Sequence, residues 1–318
     1  MASDRKTCIV IAPKLDVHAF AVLHAAAALD DEFIVIDTEE FPGFLKLRTQ
    51  IGSESFSGEL CLDDGRTLDL SAVSSLWWRR PKPPNVEGLV AKSFSKFALN
   101  EGRQALFGSL NTLVDKVFNH PGLSSFANQK IAQLSMARSV GLTVPETLVS
   151  NDPSAVGAFY ERFNGNIIYK LFTSPDEGLY PTRVMQKAEL AEVGSTAACP
   201  CIFQENVKGE FDIRATIVAG QCFSARIDFY DDPICVDTRL TSKAVTPIEL
   251  PADIKAKLLS LVRKFGLIYG SIDMRFSPTR GFVFFELNPE GQYLWTEIEA
   301  GLPISRAIAL FMTSREQF

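Results

Sequence analysis

The residues whose types and spacing most suggest chemistry lie in Phe285-Glu286-Leu287-Asn288-Pro289-Glu290-Gly291-Gln292, a short way after Ile272-Asp273-Met274. Glu286 and Asn288 are two apart in an apolar, β-prone run, so on a strand their side chains share a face. Ser277-Pro278-Thr279-Arg280 reads as the turn joining that strand to Tyr269–Phe276. A symmetric turn sets Asp273 opposite Phe284 and diagonal to Glu286. Two carboxylates and an amide oxygen on one surface suit Mg²⁺, which takes few protein ligands and completes its shell with water and phosphate oxygens. The plainer alternative is a polar face turned to solvent, and the apolar surroundings weigh against it.

Composition limits what else the chain does. Its 318 residues fit two domains, or one large domain with subdomains, and 46% apolar residues can fill a substantial core. A formal net charge of -6 argues against a general nucleic-acid surface but leaves room for a local basic groove. No run of eighteen apolar residues and no signal-peptide pattern is present, so no membrane association and a cytoplasmic location are expected. Six cysteines (Cys8, Cys61, Cys199, Cys201, Cys222, Cys235) read as reduced thiols, and the scattered His18, His24 and His120 suggest no metal cluster.

The elements that must position the acidic cluster are legible in outline. Thr7–Ala12, the Ala-rich helix Asp16–Leu29 and Phe33–Asp37 form a βαβ opening, hence a small α/β domain with a parallel sheet. Its βα turn, Ala12-Pro13-Lys14-Leu15-Asp16, has no glycine, which disfavours a dinucleotide site. Phe56–Leu62 and Thr67–Leu70 flank a hairpin signal, Asp63-Asp64-Gly65-Arg66. Val73–Arg80 reads as a strand, Val86–Val117 as one long helix, and Asn119-His120-Pro121-Gly122 as the break before a second half. There, Ser125–Val140 reads as a helix ended by Gly141, and Thr147–Ser150 as a strand. Asp152 caps a helix that has Pro153 in its first turn. Ile167–Phe172 and Ile202–Glu205 read as strands, Ile213–Ala219 and Gln221–Phe229 as a hairpin about Gly220, and Pro251–Phe265 as an amphipathic helix before the acidic hairpin. Ile304–Thr313 closes the described pattern as a helix.

Motifs in fixed order then carry a resemblance. Asn128-Gln129-Lys130 heads a helix that exits through Gly141-Leu142-Thr143-Val144-Pro145-Glu146-Thr147. Ile168-Tyr169-Lys170 ends a strand. Phe203-Gln204-Glu205-Asn206-Val207 is followed by Phe211-Asp212-Ile213-Arg214 and Asp237-Thr238-Arg239, and then by Asp273 and Glu286-Leu287-Asn288-Pro289. Over these residues the second half resembles the ATP-grasp ligases. Trp77-Trp78-Arg79-Arg80-Pro81, after Phe56-Ser57-Gly58-Glu59-Leu60, resembles the leading domain of the microviridin-type (graspetide) ribosomal-peptide maturases. Glu290-Gly291-Gln292-Tyr293-Leu294-Trp295 resembles the same group. The resemblance implies α/β plus α+β. A small N-terminal parallel-sheet pre-ATP-grasp domain (1–122), placed for substrate recognition, precedes a two-subdomain ATP-grasp fold (about 123–205 and 206–318).

It also implies a carboxylate–amine or carboxylate–hydroxyl ligase that uses ATP and Mg²⁺ to make ω-ester or ω-amide cross-links in an acidic precursor peptide. A small-molecule amino-acid or dipeptide ligase and a catalytically retired nucleotide-binding scaffold are the alternatives, and a homodimer is a further expectation. Lys130 and Lys170 are expected on phosphates. Gln204, Glu205, Asn206 and Val207 are expected at the adenine hinge, where Glu205 and Val207 act through backbone groups. Lys208 is read as either on the adenine edge or in solvent, and Asp212 as either a ribose ligand or a structural carboxylate. Arg214 and Arg239 are expected to hold phosphate oxygens during transfer, and Asp273, Glu286 and Asn288 to hold Mg²⁺. Arg79 and Arg80 are the candidates for an acidic substrate; neighbours on a strand face opposite ways, so one of them is expected to reach the cleft. The tryptophan pair is expected in the core. One departure is Thr173-Ser174-Pro175-Asp176-Glu177-Gly178-Leu179, a single-glycine segment where the family often has a glycine-rich lid.

Overall fold

A continuous apolar run makes a strand that tolerates burial on both faces, and Thr7–Ile11 (β1) is an interior strand of a parallel sheet. The computed structural model describes residues 5–173, 182–229 and 242–314. The first sheet runs β2 (Glu32–Ile36), β1, β6 (Val73–Trp78), β7 (Val117–Phe118), parallel throughout. Asp16 caps the helix Val17–Ala26 by accepting from the Ala19 N–H at 2.8 Å. The helix Ile304–Thr313 returns to this sheet: Ile304, Ile308 and Phe311 share a core with Val10, Trp77 and Phe118. Beside the sheet lies a meander of β3 (Lys46–Ile51), β4 (Phe56–Cys61) and β5 (Thr67–Asp69), whose first strand the sequence pattern did not disclose.

Two helices are shorter than the sequence implied. The stretch 86–117 is helical only over Ser95–Leu113, because the chain before it is turn around left-handed Gly88 and the chain after it is extended from Val114 into β7. The expected helix 125–140 is two, Pro121–Ala127 and Lys130–Ser139. Gln129 is extended between them, and the carbonyl of Ala127 is taken instead by the Gln133 side chain at 2.6 Å.

A second, antiparallel sheet runs β10 (Arg183–Val184), β9 (Ile167–Lys170), β11 (Cys201–Glu205), β8 (Thr147–Ser150). The third is also antiparallel: β14 (Ser242–Pro247), β13 (Gln221–Phe229), β12 (Phe211–Val218), β15 (Tyr269–Ser277), β16 (Gly281–Asn288). Strand alternation divides its faces. Ile213, Ala215 and Ile217 pack with Ile272, Met274 and Leu287 against Leu258, Leu261 and Val262 of the helix Ala252–Lys264. Residues between them carry charge on the other face.

The β15–β16 register departs from the symmetric turn. Met274 pairs with Phe284, but Asp273 pairs directly with Glu286, so Phe285 is the extra residue of a bulge. Two residues along the same face, Asp212 and Arg275 are a cross-strand pair, buried and bidentate at 2.6 and 3.0 Å, and Arg275 also donates to the Val207 carbonyl at 3.1 Å. Among the described residues, no helix is long and apolar enough to cross a membrane.

Asn119 fastens the end of β7 to this hairpin. Its backbone is left-handed (φ 54°). Its Oδ1 accepts from the N–H groups of Ile268 and Tyr269 at 3.2 and 3.0 Å, and its Nδ2 donates to the carbonyls of Tyr269 and Pro289 at 2.8 and 2.5 Å. Asn119→Ala strands these buried groups and should lower the unfolding free energy by about 3 kcal/mol or more in urea titrations. Asp212→Ala leaves the Arg275 guanidinium buried without its partner and should cost about 3–5 kcal/mol. A ribose role would give the opposite pattern: intact stability, but loss of the extra stability conferred by a non-hydrolysable ATP analogue.

Candidate active site

Three neighbouring strands present one row of charge. Arg214 on β12 stands opposite Asp273 on β15, which stands opposite Glu286 on β16. Arg214 Nη1 donates to Asp273 Oδ1 at 2.5 Å. From outside the sheet, Lys130 at the start of its helix donates to Glu286 Oε2 at 2.6 Å. Asn288 donates Nδ2 to Glu286 Oε1 at 2.8 Å and to Asp273 Oδ2 at 3.4 Å. The bulge at Phe285 is what brings the two carboxylates side by side. Burial pushes Asp273 up to about 6 despite Arg214, and the neighbouring Glu286 charge adds to the rise. Burial acts on Glu286 in the same direction, but Lys130 outweighs it and holds Glu286 well below the carboxylate range.

The side chain of Lys170, at the end of β9, makes no hydrogen bond or ion pair among the described residues. Burial lowers its pKa, and the nearby Glu286 opposes that. Its ammonium is therefore a cation held near the acidic row without a fixed partner. The donor set fits a magnesium ion of the kind that keeps water and phosphate ligands: two adjacent carboxylates and one amide, all charge-balanced by Lys130 and Arg214. The Asn288 amide presents its nitrogen to the carboxylates, so it would have to turn to offer its oxygen.

The hinge residues divide by what they already hold. Gln204 is buried and donates Nε2 to Thr147 Oγ1 at 2.8 Å. The N–H of Glu205 is taken by the Glu146 carbonyl at 3.0 Å, and its carboxylate pairs with Arg280. Asn206 donates its N–H to the Asn166 carbonyl at 3.0 Å, and Lys208 is exposed. Asp212 is committed to Arg275. Arg239 lies outside the described residues, as does most of the single-glycine segment, from Ser174 onward. Of the arginine pair, Arg80 is exposed and Arg79 is 1% exposed; Trp77 and Trp78 are core.

Arg79 has a different occupation, shared by three other side chains. Leaving β16, the chain passes four successive carbonyls, and each accepts from a side chain of another element. Pro289 accepts from Asn119 at 2.5 Å, Glu290 from Arg79 Nη1 at 2.6 Å, Gly291 from the Tyr269 hydroxyl at 2.6 Å, and Gln292 from Arg214 Nη2 at 3.0 Å. Gly291 is glycine for space: a Cβ there would stand 2.4 Å from the Ser271 Cβ. Gln133 is a site residue that motif reading missed. It clamps Leu287 on both sides, accepting its N–H at 3.0 Å and donating to its carbonyl at 2.7 Å. The available signal was its place three residues after Lys130 on one helix face.

Residues 11–122 match the family described as the MvdD pre-ATP-grasp domain. No curated protein matches the chain by sequence. Among solved structures, macrocyclase MdnC from Microcystis aeruginosa MRC, bound with precursor peptide MdnA, is 29% identical with a TM-score of 0.85. The match covers 97% of this chain and 99% of that one. Macrocyclase MdnB from the same organism is 26% identical with a TM-score of 0.80, over 97% and 99%. A RiPP-associated ATP-grasp ligase from Chryseobacterium gregarium, in complex with ADP and a leader and core peptide, shares the fold at 24% identity and a TM-score of 0.88, over 98% of each chain. An MvdD-type pre-ATP-grasp domain is thus joined to two antiparallel sheets, and over nearly its whole length the chain is similar to these macrocyclases and shares their fold.

Proposed function

We propose that the chain uses ATP and Mg²⁺, in the cytoplasm, to activate a side-chain carboxylate of an acidic ribosomal peptide and join it to a hydroxyl or amine of the same peptide. The observation that carries this reading is the Arg214–Asp273–Glu286 row with Lys130 and Lys170 beside it. A carboxylate is a poor acyl donor because oxide is a poor leaving group, and phosphorylation supplies a better one. Such transfer is mostly positioning and charge neutralisation.

In this reading Asp273, Glu286 and Asn288 hold the metal, which neutralises phosphate charge when bound. Lys170, lacking a fixed partner, meets phosphate oxygens, and Lys130 exchanges part of its hold on Glu286 for the same task. Arg214, which holds Asp273, would be the cation for the acyl phosphate. Arg239 serves the same anion by resemblance. Backbone groups around Glu205 and Val207 flank the base, with Gln204 and Asn206 fixing the turn and Lys208 at its edge. Arg80 is the cation offered to an acidic peptide, whereas Arg79 works from within by holding the Glu290 carbonyl.

A non-hydrolysable ATP analogue with Mg²⁺ at about 100 times its dissociation constant should add about 2.7 kcal/mol of stability to the wild type, and clearly less to Lys170→Ala at the same concentration. With ATP, Mg²⁺ and a pool of synthetic peptides pairing Glu or Asp with Thr, Ser or Lys, the wild type should release ADP and give products lighter by one water per bond. Glu286→Gln should slow both by about 10²–10³-fold. ADP release that proceeds without water loss from any peptide would defeat the cross-linking reading.

A further inference from the structure

A cleft of about 410 Å³ opens between the first turn of the helix Val17–Ala26 and the segment that leaves the metal strand. Asp16, Val17, His18, Gln292, Trp295 and Ile298 line it. Two of these walls also touch the phosphate-binding side. Arg214 lies 5.9 Å over the Trp295 ring and donates to the Gln292 carbonyl. The cleft is therefore one side chain away from Asp273. Its outer rim is apolar and uncovered: Leu15 is 84%, Val17 58% and Ile298 72% exposed. Its inner wall holds a histidine that the fold does not otherwise employ. His18 is 5% exposed, its ring packs edge-on against Tyr293 at 4.8 Å, and its Nδ1 is shut away without a hydrogen-bond partner.

We infer that this cleft receives the acceptor side chain, a hydroxyl or amine, and that the His18 imidazole takes its proton as the new bond forms. The inference rests on the proposed ligase reading and names the acceptor half of that site. Because Nδ1 is shut away without a partner, the acceptor's proton is assigned to Nε2. The acceptor's oxygen or nitrogen bonds to the acyl carbon, the bond from that carbon to the phosphate oxygen breaks with both electrons leaving on phosphate, and the acceptor's proton passes to His18 and then to solvent. Burial, with Arg79 second, holds the imidazole down at about 4, so it is neutral and able to accept. The carboxylate of Asp16, 3.8 Å from Arg79 Nε, keeps the wall from becoming a simple anion trap. The apolar rim suits the peptide backbone and neighbouring side chains on either side of the acceptor.

The same peptide pool, ATP and Mg²⁺ test this with hydroxylamine present or absent, because hydroxylamine traps an acyl phosphate without needing the acceptor cleft. His18→Gln should keep ADP release and hydroxamate yield near wild type while cross-links per ADP fall about 10²-fold. Val17→Trp, at an exposed rim position that does not test the core, should also lower cross-links per ADP and spare the hydroxamate. The peptides that lose their products identify the acceptor as hydroxyl or amine. Unchanged cross-links per ADP in a folded His18→Gln overturn the inference, as does a parallel fall of hydroxamate and cross-links. If His18→Gln does not fold, Val17→Trp decides by the same criterion. If the wild type gives neither hydroxamate nor cross-link, the ligase reading beneath the inference fails first.

Discussion

Charge alternation across adjacent strands is the constraint on which this site depends. Asp273 and Glu286 stand directly opposite each other, and like charges so placed repel. The arrangement is tolerable because Arg214 flanks the pair on one side and Lys130 closes it on the other. Each cation thus neutralises one carboxylate of the pair. A fold that held the acids without these partners would bury uncompensated charge. A fold that held the cations without the acids would bind phosphate but could not seat the metal. The deeper Asp212–Arg275 pair repeats the motif with signs exchanged, and there it is fully closed, bidentate and buried. The same sheet face therefore carries a closed pair and a more open one two residues apart, and the difference is access.

Much of this was legible in the residues. The acidic hairpin, both lysines and the order of motifs are short-range features, and strand alternation is enough to place Glu286 and Asn288 together. The register was not legible. A bulge is a choice between two pairings that differ by one residue, and it is decided by how Phe284 and Leu287 both reach the core while Phe285 does not. The helix over Val86–Val117 misled because its apolar residues recur at helical spacing, while tertiary pairing with β6 drew Val117–Phe118 into the sheet. Gln133 and Asn119 were hidden in their partners. Gln133 shares a helix face with Lys130, but each residue holds backbone groups about 150 residues or more away, and nothing local to either position announces which.

Arg79 shows how two neighbours in one motif can have different occupations. Two consecutive arginines at a strand end look like a paired anion site, but β6 ends at Trp78 and both N–H groups beyond it go to the Ile11 carbonyl, with Arg79 turned inward and Arg80 exposed. The inward one, however, is sealed between Trp77 and the segment after β16, where a main-chain carbonyl is its acceptor. Its charge still matters to its neighbours, since it helps keep His18 neutral.

The carbonyls of Pro289 to Gln292 explain why the leading domain cannot be a passive attachment. A segment without regular structure must find partners for its backbone or leave them to water. Here the donors come from four places: the end of β7, the end of β6, β15 and β12. Two of the four belong to the parallel sheet and two to the third sheet, so the segment is a seam sewn from both sides. The helix Ile304–Thr313 then returns to the parallel sheet and shares its core. Any shift of the leading domain must therefore drag the strand that carries Glu286 and Asn288, and any shift of that strand must move the wall of the cleft beside His18. The parallel sheet and the third sheet share an apolar core through Trp77, Val218 and Tyr269, and the side-chain hydrogen bonds to these four carbonyls, short in range and strict in direction, add the register that apolar contact alone would leave free to slide.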